Sequence, residues 1–311
     1  MPRTTLAYAL YQQLPPAWRY RLKEVLGARG HRSNFLNALK SKKDALGKRR
    51  LDRVVGISTK ALRSAGVESL KGKHMLDFGP GYLIADSLCF YLLGAGRVTA
   101  VDLNPIAVDN HLSLAFANTD WDVFQREAFA LFPDAAAGFD ERRAKLGKAL
   151  MRGFAGLAEI GITYRAPHDY AVQTLGGGVD IIYSASVLEH LPPELSGKIL
   201  ANLYADLNPG GMMVHLIGFE DHIDLEGTPY AFLAADTDYI LARDFDGRGN
   251  RIRIDGWKKI CVEAKLPARF IDPFYRTDVP RPHPLLPEFA NADPKDVFAS
   301  WVTLVAKKPS A

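Results

Sequence analysis

The chain has 311 residues, 48% of them hydrophobic and 24% charged, with a net charge of +4. This balance fits one elaborated globular domain or two small ones and leaves no apolar run of the roughly 20 residues that a spanning helix needs. Cys89 and Cys261 have no CxxC neighbours, which excludes a zinc-ribbon or disulfide framework.

The charge is unevenly spread. Residues 1–73 hold 17 Lys and Arg against 4 Asp and Glu, so the rest of the chain is acidic by nine charges. The basic excess is densest at Lys40, Lys42, Lys43, Lys48, Arg49, Arg50 and Arg53. One reading is an anionic partner such as lipid headgroups, nucleic acid or an acidic substrate; the other is a solvated helix face on an acidic body, the commoner fate of charge runs. Leu6, Leu10, Leu14, Trp18, Leu22 and Leu26 step by four and are interrupted by Pro15 and Pro16. The spacing predicts two kinked amphipathic helices over residues 5–27, able to dock on the body, to pair two copies as a homodimer, or to lie on a membrane as a peripheral contact. With a further helix predicted over 51–65, residues 1–72 read as a basic helical N-terminal arm. A single early basic residue and an apolar patch broken by Gln12 and Gln13 make a poor signal peptide, so a cytoplasmic location is expected.

From residue 73 strands and helices alternate. A short strand ending at Asp77 leads into the turn Gly79-Pro80-Gly81, a helical pattern over 82–93, and a strand over 98–101 that ends in Asp102. That is half of a nucleotide-binding βαβ unit, in which glycines let the backbone approach a nucleoside and the acid grips ribose hydroxyls. Asn104 and Pro105 read as the N-cap and first residue of the next helix. Residues 118–160 exceed a plain crossover and carry helical patterns at 121–131 and 140–160; such an insertion reads as a lid, an interface or padding. A strand at 162–165 precedes His168-Asp169, and Gly176 to Gly178 precede a strand at 179–183. Leu195, Ile199, Leu200, Leu203 and Leu207 form a helical stripe stopped by Asn208-Pro209-Gly210-Gly211 before a strand at 212–217. A second insertion, 219–250, is rich in acids and aromatics. Asp255 is expected to cap a helix reaching Leu266, and strands at 269–275 and 297–306 close the chain. The alternation predicts an α/β fold, a mostly parallel sheet with helices on both faces.

The order of these signals resembles the class I S-adenosylmethionine-dependent methyltransferases, closely over residues 74–217 and loosely over the last strands. Leu76 to Gly81 resembles the family's first motif and Asp102 its ribose-binding acid. Val179 to Ser184 followed by Val187-Leu188-Glu189-His190-Leu191 resembles its fourth strand and the turn after it, and Leu207 to Gly211 the turn before its fifth. The resemblance implies a Rossmann-like, seven-stranded sheet in a domain spanning 73–311, the last strand antiparallel, with S-adenosyl-L-methionine as cofactor. By the same resemblance Gly79, Pro80, Gly81 and Tyr82 meet the cofactor's amino-acid part. Asp77 orders that turn from beneath or reaches the ammonium through water. Asp102 takes the ribose hydroxyls, Leu103 and Asn104 flank the adenine, His168 and Asp169 lie near it, and Ser184 completes the set. The family's frequent third glycine is replaced by Leu83, and the third glycine of a nicotinamide dehydrogenase fingerprint by Ile84.

Methyl transfer from a sulfonium needs alignment and exclusion of water more than activation. Where the acceptor carries a proton, His190 is the first candidate base and His222 the second, with Glu189 beside them; each also reads as an ordinary hydrogen-bonding residue. Some quinone-precursor O-methyltransferases place acid, acid and His at i, i+3 and i+4, where this chain has Ser186, Glu189 and His190; with the first acid missing, no metal is expected. Residues 244–250 resemble a calcium loop with Arg248 where a ligand is wanted, and read as a turn. Trp121, Phe124, Phe129, Tyr230, Phe232, Tyr239 and Phe245 suit either a planar acceptor or a core. The expected activity is methyl transfer to O or N of a small-molecule acceptor: a metabolite, glycan or lipid precursor. The rivals are a nucleic-acid methyltransferase using the basic arm, against which no Asn/Asp-Pro-Pro-Tyr signature follows the fourth strand, and a non-catalytic nucleoside-binding module.

Overall fold

The computed structural model describes residues 41–47, 50–107, 109–222, 224–234 and 249–310. The expected helices of residues 5–27, the aromatics Tyr239 and Phe245, and most of the calcium-like loop lie outside them. Seven strands form one sheet: β1 (His74–Phe78), β2 (Arg97–Val101), β3 (Ile162–Arg165), β4 (Val179–Ala185), β5 (Leu207–Gly218), β6 (Ala268–Tyr275) and β7 (Ala299–Lys307). Their order is β3-β2-β1-β4-β5-β7-β6. The first five are parallel, and β7 runs antiparallel to both β5 and β6. β1, β2 and β4 are buried almost end to end, because crossover helices cover both faces.

Strand alternation sends neighbouring residues to opposite faces. Met75, Ile181 and Val214 join one core with the helices Leu51–Ala65, Ala85–Leu92 and Trp121–Leu131. Leu76, Ile182 and Met213 join the other, with Pro193–Asp206 and Ile254–Glu263. The insertion at 118–160 belongs to the first core: Phe124, Phe132 and Leu146 are fully buried there, and Phe139 stacks on Phe124 at 5.6 Å. Its aromatics are packing, so the lid reading does not hold. Tyr230 and Phe232 likewise form a small core with Leu233, Val297 and Phe298.

Several local expectations change. The pattern at 82–93 is two pieces, a 3-10 turn at Gly81–Leu83 and a helix at Ala85–Leu92, broken at Ile84, which holds φ 40° and ψ 37°. Asn104 is not an N-cap: residues 103–107 form an irregular loop, and the helix begins at Asp109. The pattern at 140–160 splits into Phe139–Leu150 and Gly153–Glu159. Asp255 lies inside the first turn of Ile254–Glu263, its carboxylate on Lys258 Nζ at 2.7 Å, while Asp296 accepts its backbone N–H. Asn208 to Gly211 belong to β5, and Val297 ends a short helix before β7.

One buried carboxylate fastens the loop that joins β3 to β4. Asp206, 1% exposed, accepts hydrogen bonds from the Tyr170 hydroxyl (2.9 Å) and from the N–H groups of Leu175 (2.8 Å) and Gly177 (2.7 Å). Burial and this carboxylate push the Tyr170 phenol up. Tyr170 in turn meets Phe78, the last residue of β1, edge-on at 5.6 Å. Asp206→Ala leaves three donors unmade, so a loss of about 3 kcal/mol in unfolding free energy is expected. Urea denaturation reads it, and a change below about 1 kcal/mol would contradict the role given to this carboxylate.

Candidate functional site at the carboxyl edge of the sheet

β1 and β2 end side by side, and Gly79 N–H donates to the Val101 carbonyl at 2.8 Å. Gly79 and Gly81 both have φ +70°, a conformation that only glycine adopts without strain. A Cβ on Gly79 would stand 2.6 Å from Val187 Cγ2, so the turn is walled on that side; a Cβ on Gly81 would meet nothing within 4 Å. Below the turn the buried Asp77 accepts a hydrogen bond from Ser87 Oγ at 2.6 Å, which ties the strand end to the helix Ala85–Leu92. Pro80 links the two glycines, and Tyr82 packs half-buried against the core.

Asp102 follows β2. Its Oδ1 accepts the Asn104 N–H at 3.0 Å, and its carbonyl accepts the His168 N–H at 2.9 Å. Leu103, 56% exposed, and the exposed Asn104 form the lip. The Tyr164 hydroxyl sets the path of this loop, accepting from the N–H groups of Ile106 and Ala107 and donating to the Asn104 carbonyl. His168 packs edge-on against Tyr170 at 4.9 Å, and its buried Nε2 has no hydrogen-bond partner among the described residues. Asp169 Oδ1 accepts the Ala171 N–H at 2.7 Å and shapes its own turn. The glycine turn, Asp102 to Asn104, and His168 with Asp169 thus gather at the carboxyl ends of three adjacent parallel strands, where open α/β sheets bind ligands.

Ser184 does not join them. It is fully buried, and its hydroxyl is engaged by His215 Nδ1 of the paired strand at 2.7 Å. Burial pushes the His215 imidazole down to about 3, so the ring is neutral. The sequence pattern marks the end of β4 correctly but does not say which face the side chain takes.

A second group stands next to the glycine turn. Val187, which walls Gly79, begins the 3-10 turn that carries Glu189 and His190. Glu189 is 3% exposed, and neither carboxylate oxygen has a hydrogen bond of good geometry among the described residues. Burial pushes its pKa up to about 8, against a smaller opposing pull from nearby donors at its own N–H, the Gly218 N–H and the Ser186 hydroxyl. Gly218 ends β5, and a Cβ there would stand 2.7 Å from Glu189 Oε1. The segment after β5 brings in His222, whose ring centroid lies 4.8 Å from that of His190. One ligand atom from each of Glu189, His190 and His222 lies within 4.8 Å of the others.

Two residues just before and at the start of the helix Ile254–Glu263 hold these segments. Asn250 Nδ2 donates to the carbonyls of Leu188 and Leu191, both at 2.9 Å, and so staples the turn bearing Glu189 and His190. The buried Arg253 donates to the carbonyls of Phe219 (2.7 Å) and Ala299 (2.6 Å), and its guanidinium lies 4.7 Å from the Phe219 ring centre. Burial lowers its pKa to about 10, which leaves it charged at neutral pH. Ser87, Tyr164, Asn250 and Arg253 carry no motif and were not identifiable as site supports by spacing.

No protein family's sequence profile matches the chain, and no curated protein matches it. Solved structures do. The phosphoethanolamine N-methyltransferase 2 of Haemonchus contortus, in complex with S-adenosyl-L-methionine, aligns with 93% of this chain and 60% of its own, at a TM-score of 0.50 and 12% identity. Magnesium protoporphyrin IX methyltransferase from Synechocystis, with bound SAH, aligns with 83% of this chain and 82% of its own, at 0.43 and 16%. Human N-acetylserotonin methyltransferase, with SAM, aligns with 92% of this chain and 59% of its own, at 0.44 and 14%. The sheet order defines a Rossmann-like architecture. More narrowly, the fold is that of the class I S-adenosylmethionine-dependent methyltransferases.

Proposed function

We propose that this chain binds S-adenosyl-L-methionine above β1 and β2 and transfers its methyl group to an oxygen or nitrogen of a small-molecule acceptor. The observation that carries this is the placement of one glycine turn, walled by Val187 at Gly79 and open at Gly81, beside the Asp102 carboxylate. The likeness to a fold in which a phosphoethanolamine methyltransferase is complexed with the same methyl donor supports it. Transfer is an in-line displacement. The acceptor's lone pair forms the new bond to the methyl carbon, the C–S bond breaks, and its electron pair stays on sulfur as S-adenosylhomocysteine leaves. The protein supplies alignment and a site closed to water.

The turn from Val187 to His190 borders Gly79, so the donor's methionine end faces Glu189, His190 and His222. The acceptor enters on that side, and a proton released from it leaves there. Isothermal titration with S-adenosylhomocysteine tests the donor site: one equivalent bound is expected, and no heat at saturating ligand would overturn the reading. Labelled methyl donor offered with a metabolite extract and, separately, with total RNA tests the acceptor: label in the small-molecule fraction supports the proposal, and label in RNA alone would replace it with the nucleic-acid reading.

A further inference from the structure

We infer that Glu189, His190 and His222 form a binding site for a divalent transition-metal ion of the Zn2+ type at the acceptor side of the cleft. Sequence spacing argued against a metal because the first acid of the i, i+3, i+4 set is Ser186. The fold supplies a third ligand from elsewhere: β4 and β5 are neighbours, and the segments leaving their carboxyl ends bring His222 to His190. The set is one carboxylate and two imidazoles. Such donors suit Zn2+, Co2+, Mn2+ or Fe2+, whereas Mg2+ and Ca2+ want a shell of oxygens.

One feature points to a cation, and the fold makes room for the carboxylate that would meet it. The Glu189 carboxylate is nine-tenths buried or more, and neither oxygen finds a well-formed hydrogen bond among the described residues. A buried carboxylate in that condition is costly unless a positive charge meets it. Room for it is also built in. Gly218 is the residue whose Cβ would collide with Glu189 Oε1 at 2.7 Å, so the strand end is hollowed to admit the carboxylate. Asn250 and Arg253 fix the two backbone segments that carry the ligands, the kind of support that keeps metal donors oriented.

The dimensions are workable. The donor atoms lie within 4.8 Å of one another. A tetrahedral ion with bonds near ~2.1 Å wants donors ~3.4 Å apart, so closure takes roughly 1 Å of side-chain rotation. Three protein ligands leave at least one coordination position for the acceptor, as in catalytic rather than structural zinc sites. An ion there lowers the pKa of an acceptor hydroxyl and fixes its direction toward the methyl group. This favours an oxygen acceptor. The role given to the ion rests on the methyl-transfer reading; its binding does not.

The test uses the full chain, stripped with a chelator, with Zn2+ and Co2+ as probes and no methyl donor present. Isothermal titration is expected to show one equivalent of Zn2+, and Co2+ to develop the visible absorption of a low-symmetry site. Loss of a supporting outer-shell partner typically weakens a metal site 10–100-fold, so Glu189→Gln, His190→Ala and His222→Ala should each weaken Zn2+ by about 100-fold or more. His283→Ala, outside the cluster, should leave it unchanged. Circular dichroism and S-adenosylhomocysteine affinity of each variant separate loss of a ligand from loss of fold. Absence of stoichiometric Zn2+, or an affinity that survives His222→Ala, would overturn the inference and leave a hydrogen-bonded carboxylate–imidazole cluster in its place. Failure of the chain to bind S-adenosylhomocysteine would overturn the methyl-transfer reading while leaving the metal titration standing.

Discussion

Gly79→Ala is expected to weaken S-adenosylhomocysteine on the order of 100-fold and to lower stability by about 2–5 kcal/mol, the stability loss being the sum of two effects that the structure separates. The first is backbone strain. An alanine at φ +70° costs about 1–2 kcal/mol, because its Cβ crowds the following carbonyl. The second is collision. The new Cβ would lie 2.6 and 2.8 Å from the two Val187 methyls. Val187 opens the turn that Asn250 staples, and Gly79 itself is bonded to Val101, so neither side moves freely. Overpacking of this kind adds about 1–3 kcal/mol. Gly81→Ala has the same φ but meets nothing within 4 Å, so only the strain of about 1–2 kcal/mol is expected in the free protein. Denaturant melts of the two single variants, and of Gly79→Ala with Val187→Ala, measure the difference. The double variant should remove the collision but retain the strain. Equal costs for Gly79→Ala and Gly81→Ala would show that Val187 yields and does not wall the turn.

The parts of this molecule legible in its sequence are those whose cause is local. Helix Leu51–Ala65, helix Trp121–Leu131 and strand Ile162–Arg165 fall where periodicity and breakers put them. The two glycines and Asp102 stand at strand ends because turn geometry demands those residue types at those places. What was not legible depends on partners distant in the chain. Asn104 has the chemistry of an N-cap, yet Tyr164, sixty residues on, holds its loop out of helix. Ile84 is a residue with every reason to continue a helix, and it adopts a left-handed conformation because its fully buried side chain and the turn before it over-determine the backbone. The aromatics of 118–160 carry a helical stripe that is the same for a lid and for a core, and only their burial in the core shared with Leu51–Ala65 and Ala85–Leu92 decides for the core. His222 joins His190 through strand pairing, which spacing along the chain does not encode.

The donor site turns on Asp102, and Asp102→Ala is expected to weaken S-adenosylhomocysteine by roughly 100-fold with little change in stability. One carboxylate meeting a vicinal diol makes charge-assisted hydrogen bonds worth about 1.5–3 kcal/mol each, and about 3 kcal/mol lost corresponds to a factor near 100. Folding loses less, because the Asp102 carboxylate bonds the N–H of Asn104, an exposed residue that water can reach. Asp102→Asn keeps an acceptor and gives up the charge, so an intermediate loss of about tenfold is expected. Removing the hydroxyls from the ligand makes the argument specific. A 2′-deoxy analogue should bind the wild-type protein far more weakly than S-adenosylhomocysteine does, whereas Asp102→Ala should scarcely distinguish the two; the difference of differences is the ribose–carboxylate interaction itself. If Asp102→Ala binds both ligands as the unaltered chain does, the ribose is not held at the end of β2, and the donor has to be sought elsewhere on the sheet.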